Sequence, residues 1–161
     1  MLLGACSSAQ HRLDLVPKVL RPDISERLMD QATHVHVRHQ ISQLADVWVV
    51  TLSQSDRATL FGASGESLEW LEPERAAPVA LIAINAGQES YRSLRTDNGW
   101  QLKPTPDRLV RIDRPKLGEV ELLLPPITPW SSVYLAWYST PISGTELQLT
   151  KDGYSVRAPL P

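Results

Sequence analysis

Short segments rich in β-branched and aromatic residues, set apart by turns containing proline or glycine, constrain the fold of this chain more than any other feature. Thirteen prolines are spread over 161 residues, and a proline disrupts a helix interior or the hydrogen bonds of a central strand. The segments recur about every 8–12 residues, a spacing typical of antiparallel sandwiches and barrels. We therefore predict a mainly β fold, an antiparallel sandwich or half-open barrel of about nine or ten strands.

The strand predictions depend on alternating or continuously apolar stretches. The candidate segments are 33–38, 47–52, 57–61, 67–71, 79–84, 91–96, 100–103, 109–113, 119–124, 133–138, 146–150 and 154–157. Residues 79–84 are apolar throughout, which predicts a central strand. Hairpin turns are predicted at 53–56, at Asn98-Gly99, where the Asn-Gly pair favours a tight turn, and at 151–153.

One short N-terminal helix is predicted at 23–32. Asp23 occupies an N-cap position with Glu26 three residues later, a pattern that satisfies the free amides of a first helical turn. Ile24, Leu28 and Ala32 then fall on one helical face.

The size and charge of the chain limit its partners. A length of 161 residues matches one domain, since domains usually have about 100–200 residues. Sixteen basic and eighteen acidic residues nearly cancel, and the basic ones are dispersed, so no nucleic-acid partner is predicted. No stretch approaches the ~20 apolar residues that a membrane-spanning helix needs.

Cys6, the one cysteine of the chain, follows Leu3-Gly4-Ala5. These four residues resemble the lipobox of bacterial lipoproteins, in which the cysteine is acylated and becomes the first residue of the mature protein. Only three residues precede the small ones, although a signal peptide needs an apolar region of about 7–15 residues. We therefore expect a start codon upstream of Met1 or a truncated sequence, with residues 1–10 as signal and tether and 11–161 as a single β-rich domain.

The lipobox resemblance implies a location and a membrane contact. A serine after the lipidated cysteine, as at Ser7, is similar to the lipoproteins destined for the outer membrane. Several acyl chains anchor a protein firmly, whereas one chain holds it reversibly. The resemblance thus implies a protein held by lipidated Cys6 on the periplasmic face of the outer membrane.

His34 and His36 lie two residues apart, so a strand directs both to one face. Zinc and copper bind imidazole, but His39 falls on the opposite face of such a strand. A solvated polar face explains His34, His36 and Arg38, with Val35 and Val37 towards the core. We therefore predict no metal site and no cofactor.

Two further patterns point only weakly to catalysis. Ser64 lies between glycines but lacks the Gly-x-Ser-x-Gly spacing of a nucleophile elbow. Four acidic residues are close in sequence, yet nothing places two of them across a cleft, as glycoside hydrolysis requires; they are Glu66, Glu69, Glu72 and Glu74. The chain is therefore predicted not to be an enzyme.

Five tryptophans accompany a single phenylalanine. Large aromatic residues at strand positions line an apolar pocket or a partner surface, or else fill an ordinary core. The residues considered for such a pocket or surface are Trp48, Trp70, Trp100, Tyr134 and Trp137. Ordinary core packing is the alternative for all five.

A helix followed by antiparallel strands behind a lipobox is similar to the outer-membrane lipoprotein receptors, which are half-open barrels with an apolar cavity. The likeness lies in 48–52, 58–62 and 68–70, and more faintly in 98–102 and 153–156. We expect a binding or scaffold module that engages an envelope protein. The alternative implied by the resemblance is a carrier or receptor for the acyl chains of lipids or lipoproteins.

Overall fold

The computed structural model describes residues 22–64, 79–94, 98–103, 109–115, 128, 130–139 and 146–159. The helices are α1 (Pro22–Gln31), α2 (Gln54–Ser64) and α3 (Glu89–Arg92), and the strands are β1 (Thr33–His39), β2 (Ser42–Leu52), β3 (Val79–Asn85), β4 (Gln101–Lys103), β5 (Leu109–Asp113), β6 (Ser131–Tyr138), β7 (Glu146–Lys151) and β8 (Tyr154–Pro159). This part of the chain is mainly β, as the sequence predicts. Among its helices none has the length and apolar character to cross a membrane.

The strands form two antiparallel sheets. The larger sheet has the order β1-β2-β3-β6-β5 and the smaller one β4-β7-β8. Every pairing within them is antiparallel. The strands predicted at 67–71 and 119–124 lie outside the described residues.

Among the described residues, an apolar core joins the two sheets. Val49 and Ile82 of the larger sheet are buried in the same cluster as Leu149 and Val156 of the smaller one. Because side chains alternate between the faces of a strand, this core takes every second residue of β2, β3 and β6. Burying one such aliphatic side chain contributes about 1.5–3 kcal/mol.

The opposite face of the larger sheet is also buried over much of its area. Val50, Leu81 and Trp137 belong to that face and are shielded from solvent. Helix α2 lies here, with the buried Arg57 guanidinium carbon 5.8 Å from the centre of the Trp137 ring. Burial on both faces explains why residues 79–84 are apolar throughout, and the central strand predicted there is confirmed as β3.

The strand predicted at 57–61 and the hairpin predicted at 53–56 are wrong, because these residues belong to helix α2 and its N-terminus. The Ser53 hydroxyl accepts a hydrogen bond from the Asp56 amide at 3.1 Å, and the Asp56 carboxylate accepts one from the Ser53 amide at 3.0 Å. This reciprocal arrangement is a capping box, which stabilises a first helical turn. Residues 62–64 form the end of the same helix.

The hairpin predicted around Asn98-Gly99 is also wrong, because α3 occupies the start of its first strand and β4 pairs with β7. Trp100 explains the difference. Its indole nitrogen donates to the Tyr91 carbonyl at 2.9 Å, and the ring is fully buried against the core. Packing of this side chain outweighs the local turn preference.

The hairpin predicted at 151–153 is confirmed, since β7 and β8 pair across Asp152-Gly153. Both turn residues have positive φ, 48° and 84°, as the favoured two-residue hairpin turn requires. The turn between β1 and β2 places Gln40 at φ 54°, a conformation that costs a residue with a side chain about 1–2 kcal/mol.

Candidate functional site

The main candidate site is an open cleft of about 400 Å³ at the end of the larger sheet where β3 ends and β6 begins. We call it the Trp130 cleft; it includes Asp46, Asn85, Arg92, Thr128 and Trp130. The Trp130 side chain is 74% exposed, whereas Trp100 and Trp137 are buried. A large aromatic residue held in solvent beside polar groups is a feature of binding surfaces.

A hydrogen-bonded turn fixes the position of Trp130. The Ser131 amide donates to the Thr128 carbonyl at 2.9 Å, and the Thr128 amide donates to the Ser131 hydroxyl at 2.8 Å. The Trp130 amide in turn donates to the Thr128 hydroxyl at 3.3 Å. The Ser131 hydroxyl also donates to Asn85 on β3. The exposed ring is thus presented from an ordered backbone.

The cleft contains a donor that lacks a partner. The Arg92 Nε atom is buried and forms no hydrogen bond with the described residues. A buried donor left unsatisfied costs about 1–3 kcal/mol.

Polar residues form a row across four adjacent strands at this end of the sheet. His36, Asp46, Asn85 and Ser131 are successive cross-strand partners on β1, β2, β3 and β6. Laterally paired residues share one face of a sheet. Asp46 is therefore both a wall of the cleft and a neighbour of the histidines on β1.

The two histidines and Asp46 form a compact cluster. Their nearest ligand atoms all lie within 4.8 Å of one another. His36 Nδ1 contacts the Asp46 carboxylate, and His34 Nε2 lies 3.5 Å from the same oxygen. The His34 ring stacks on Trp48, its cross-strand partner, with ring centres 3.6 Å apart. His39 lies apart from this cluster, with Nδ1 3.0 Å from the Tyr154 hydroxyl on β8.

The aromatic residues singled out in the sequence do not share one surface. Trp48 and Trp137 belong to the face of the larger sheet that carries the histidines, whereas Tyr134 and Trp100 lie in the core between the sheets. Cys6 and Trp70 lie outside the described residues, as do the acidic residues at 66–74. No role is predicted for Trp130 from the sequence, because its exposure depends on the hydrogen bonds between Thr128 and Ser131.

The buried aromatic residues contact neighbouring side chains and backbone groups. The Tyr134 hydroxyl accepts hydrogen bonds from the Leu94 amide at 3.1 Å and from Arg114 Nη2 at 2.7 Å, and it donates to the Arg92 carbonyl at 3.2 Å. The Arg111 guanidinium carbon lies 4.7 Å from the centre of the Trp137 ring. Burial raises the pKa of Tyr138 to about 12.

A second cleft, of about 480 Å³, lies beside the β7–β8 turn and includes Asn98, Lys151 and Asp152. Lys151 Nζ lies 3.1 Å from the Asp152 carboxylate and 4.6 Å from the centre of the Tyr91 ring. Hydrogen bonds from Lys151 and from the Tyr91 hydroxyl lower the pKa of Asp152. The charged groups of this cleft therefore satisfy one another and fix the turn.

No protein family, no curated protein and no solved structure matches the chain.

Proposed function

We propose that this protein is a non-enzymatic binding module of the cell envelope, anchored by lipid at Cys6 on the periplasmic face of the outer membrane. Its partner is a protein that binds at the Trp130 cleft. The lipobox-like residues around Cys6 support the anchor. The observation that carries the binding role is the 74% exposed Trp130 side chain, held by an ordered turn at the edge of an open cleft.

The composition of the cleft favours a protein partner. Tryptophan and arginine are enriched among the residues that contribute most to protein–protein binding. Trp130 offers apolar area, and Arg92 is a cationic residue that lines the same cleft. A peptide segment with an acidic side chain complements both, since a carboxylate makes a charge-assisted hydrogen bond with arginine.

The alternative is an acyl-chain carrier with an apolar internal cavity. Trp100, Tyr134 and Trp137 are the residues expected to line such a cavity, and they are buried in contacts with other side chains. Because one core is shared by two facing sheets, we propose a filled sandwich instead of a half-open barrel. The Trp130 cleft contains Asp46 and Arg92, and charged groups are poor neighbours for an acyl chain.

Site-specific photocrosslinking tests this proposal. The full chain, preceded by a lipoprotein signal sequence, is expressed with a photoreactive amino acid at position 130 or, as a control, at position 41. Ile41 is 99% exposed and lies in the β1–β2 turn, outside the cleft. We expect a protein adduct of one discrete mass from position 130 and none from position 41.

A second pair of variants relates the adduct to the chemistry of the cleft. Arg92→Gln should weaken the adduct from position 130, and Arg38→Gln, at an exposed position on β1, should leave it unchanged. Equal adducts from both positions, or an adduct that Arg92→Gln does not change, would contradict the proposed site. Labelled palmitate should be incorporated into the unchanged chain and not into Cys6→Ser, and equal incorporation into Cys6→Ser would contradict lipid attachment at Cys6.

A further inference from the structure

We infer that His34, His36 and Asp46 form a binding site for a divalent transition-metal ion, and that Zn²⁺ fits this donor set. The inference does not depend on the proposed partner or on the lipid anchor. It rests on the geometry of two adjacent strands and on the chemistry of the three side chains.

The pairing of β1 with β2 creates the cluster. His34 and His36 share a face of β1 because they are two residues apart. Asp46 is the direct cross-strand partner of His36, so its carboxylate is on that same face. Three potential ligands from two strands therefore converge without any change of the backbone.

The distances are compatible with zinc. Two ligands that each lie about 2.0–2.1 Å from a tetrahedral zinc ion are about 3.4 Å apart. His34 Nε2 and the nearer Asp46 oxygen are 3.5 Å apart, and all three ligand atoms lie within 4.8 Å. His36 is half-exposed, so its ring is free to turn from its contact with Asp46 towards a shared ion.

One ring nitrogen of the cluster lacks a partner. His34 Nε2 is buried and forms no hydrogen bond with the described residues, although it faces the Asp46 carboxylate. Buried polar atoms are normally satisfied, and an exception calls for a cause such as an ion. A metal bound between His34 and Asp46 would satisfy this nitrogen.

The neighbouring side chains hold the ligands in place. Gln43 donates a hydrogen bond to the second oxygen of Asp46, and the Trp48 ring packs flat against His34 at an interplanar angle of 12°. Residues that orient metal ligands in this way commonly change metal affinity by about 10–100-fold when they are replaced. Imidazole and carboxylate ligands suit zinc, and three protein ligands leave a fourth position open. Asp46 also lines the Trp130 cleft, so the cluster borders a cavity that solvent or a bound partner can enter.

Calorimetric titration of the purified full chain with Zn²⁺ tests the inference. We expect one ion per chain. His34→Ala, His36→Ala and Asp46→Asn should each weaken binding by more than about tenfold, and Gln43→Ala by about tenfold. His39→Ala is the matched control, because His39 is on the same strand but contacts Tyr154; its affinity should equal that of the unchanged chain.

Nuclear magnetic resonance on the unchanged chain gives a readout that does not depend on how the variants fold. Zn²⁺ should shift the ring signals of His34 and His36 and leave those of His39 in place. Absence of zinc binding, unchanged affinity in Asp46→Asn, or an equal loss in His39→Ala would overturn the inference. Each of these results would leave an ordinary ion pair between His36 and Asp46.

Discussion

Removal of the Tyr134 hydroxyl should destabilise the fold by an amount that the structure defines. Tyr134 is 2% exposed, and its hydroxyl binds the Leu94 amide, the Arg92 carbonyl and the Arg114 guanidinium. In Tyr134→Phe the buried Leu94 amide loses its acceptor, which costs about 1–3 kcal/mol. Arg114 is exposed and can bind water instead, so we expect a total loss of about 2 kcal/mol.

Chemical denaturation of the two proteins measures this loss. The midpoint should fall while the denaturant slope stays the same, because the area exposed on unfolding does not change. For a chain of this size, 2 kcal/mol lowers the melting temperature by about 4–8 °C. Tyr91→Phe is the control, since it removes an exposed hydrogen bond to Asp152 and should change stability by less than about 0.5 kcal/mol.

A loss below about 0.5 kcal/mol in Tyr134→Phe would contradict a stabilising role for this hydroxyl. It would mean that the Leu94 amide is satisfied without the Tyr134 hydroxyl. An equal loss in Tyr91→Phe would refute it as well, because the two hydroxyls would then contribute alike despite their different burial.

Three further perturbations test other parts of the fold. Burial raises the pKa of Tyr138 from 10.0 to about 12, so the folded state binds this proton more tightly than the unfolded state and stability falls as the pH rises from about 10 to 12. At about 1.4 kcal/mol per pKa unit, the stability lost over this pH range is about 2–3 kcal/mol. Denaturation curves of Tyr138→Phe should not show this loss. If the variant loses the same stability over this pH range, Tyr138 is not its source. Ser53→Ala removes the cap of α2 and should cost about 1 kcal/mol in denaturant, while Ser53→Asn keeps the cap and most of the stability; equal stability of the two variants would contradict the capping role. Gln40 has φ 54°, so Gln40→Gly should raise the free energy of unfolding by about 0.5–1 kcal/mol, and Gln40→Val should lower it. An unchanged free energy of unfolding in Gln40→Gly would argue against strain at this turn.

The parts of the fold that follow from the sequence are those where local preference and tertiary packing agree. The apolar run of β3 requires burial on both faces of the sheet. Asp152-Gly153 supplies the turn that the β7–β8 hairpin requires. At α2 two local signals compete. The β-branched and aromatic residues at 57–61 favour a strand, but the capping box at Ser53 and Asp56 starts a helix.

The candidate sites were harder to predict, because they depend on cross-strand register. Tyr134 and Trp137 are three residues apart on β6, so alternation places them on opposite faces and separates the aromatic set. Strand alternation predicts that His34 and His36 share a face, but Asp46 joins them only through the pairing of β1 with β2. A shift by one residue would send Asp46 to the other face.

We propose that the protein binds its partner at an external cleft and that its core is filled. Native mass spectrometry of the full chain with Cys6→Ser, purified from the periplasm and then offered a fatty acid, tests this most directly. The account predicts the mass of the chain alone, with no acyl ligand retained or taken up. A bound mass of lipid or fatty-acid size would contradict it and would favour an acyl-chain carrier.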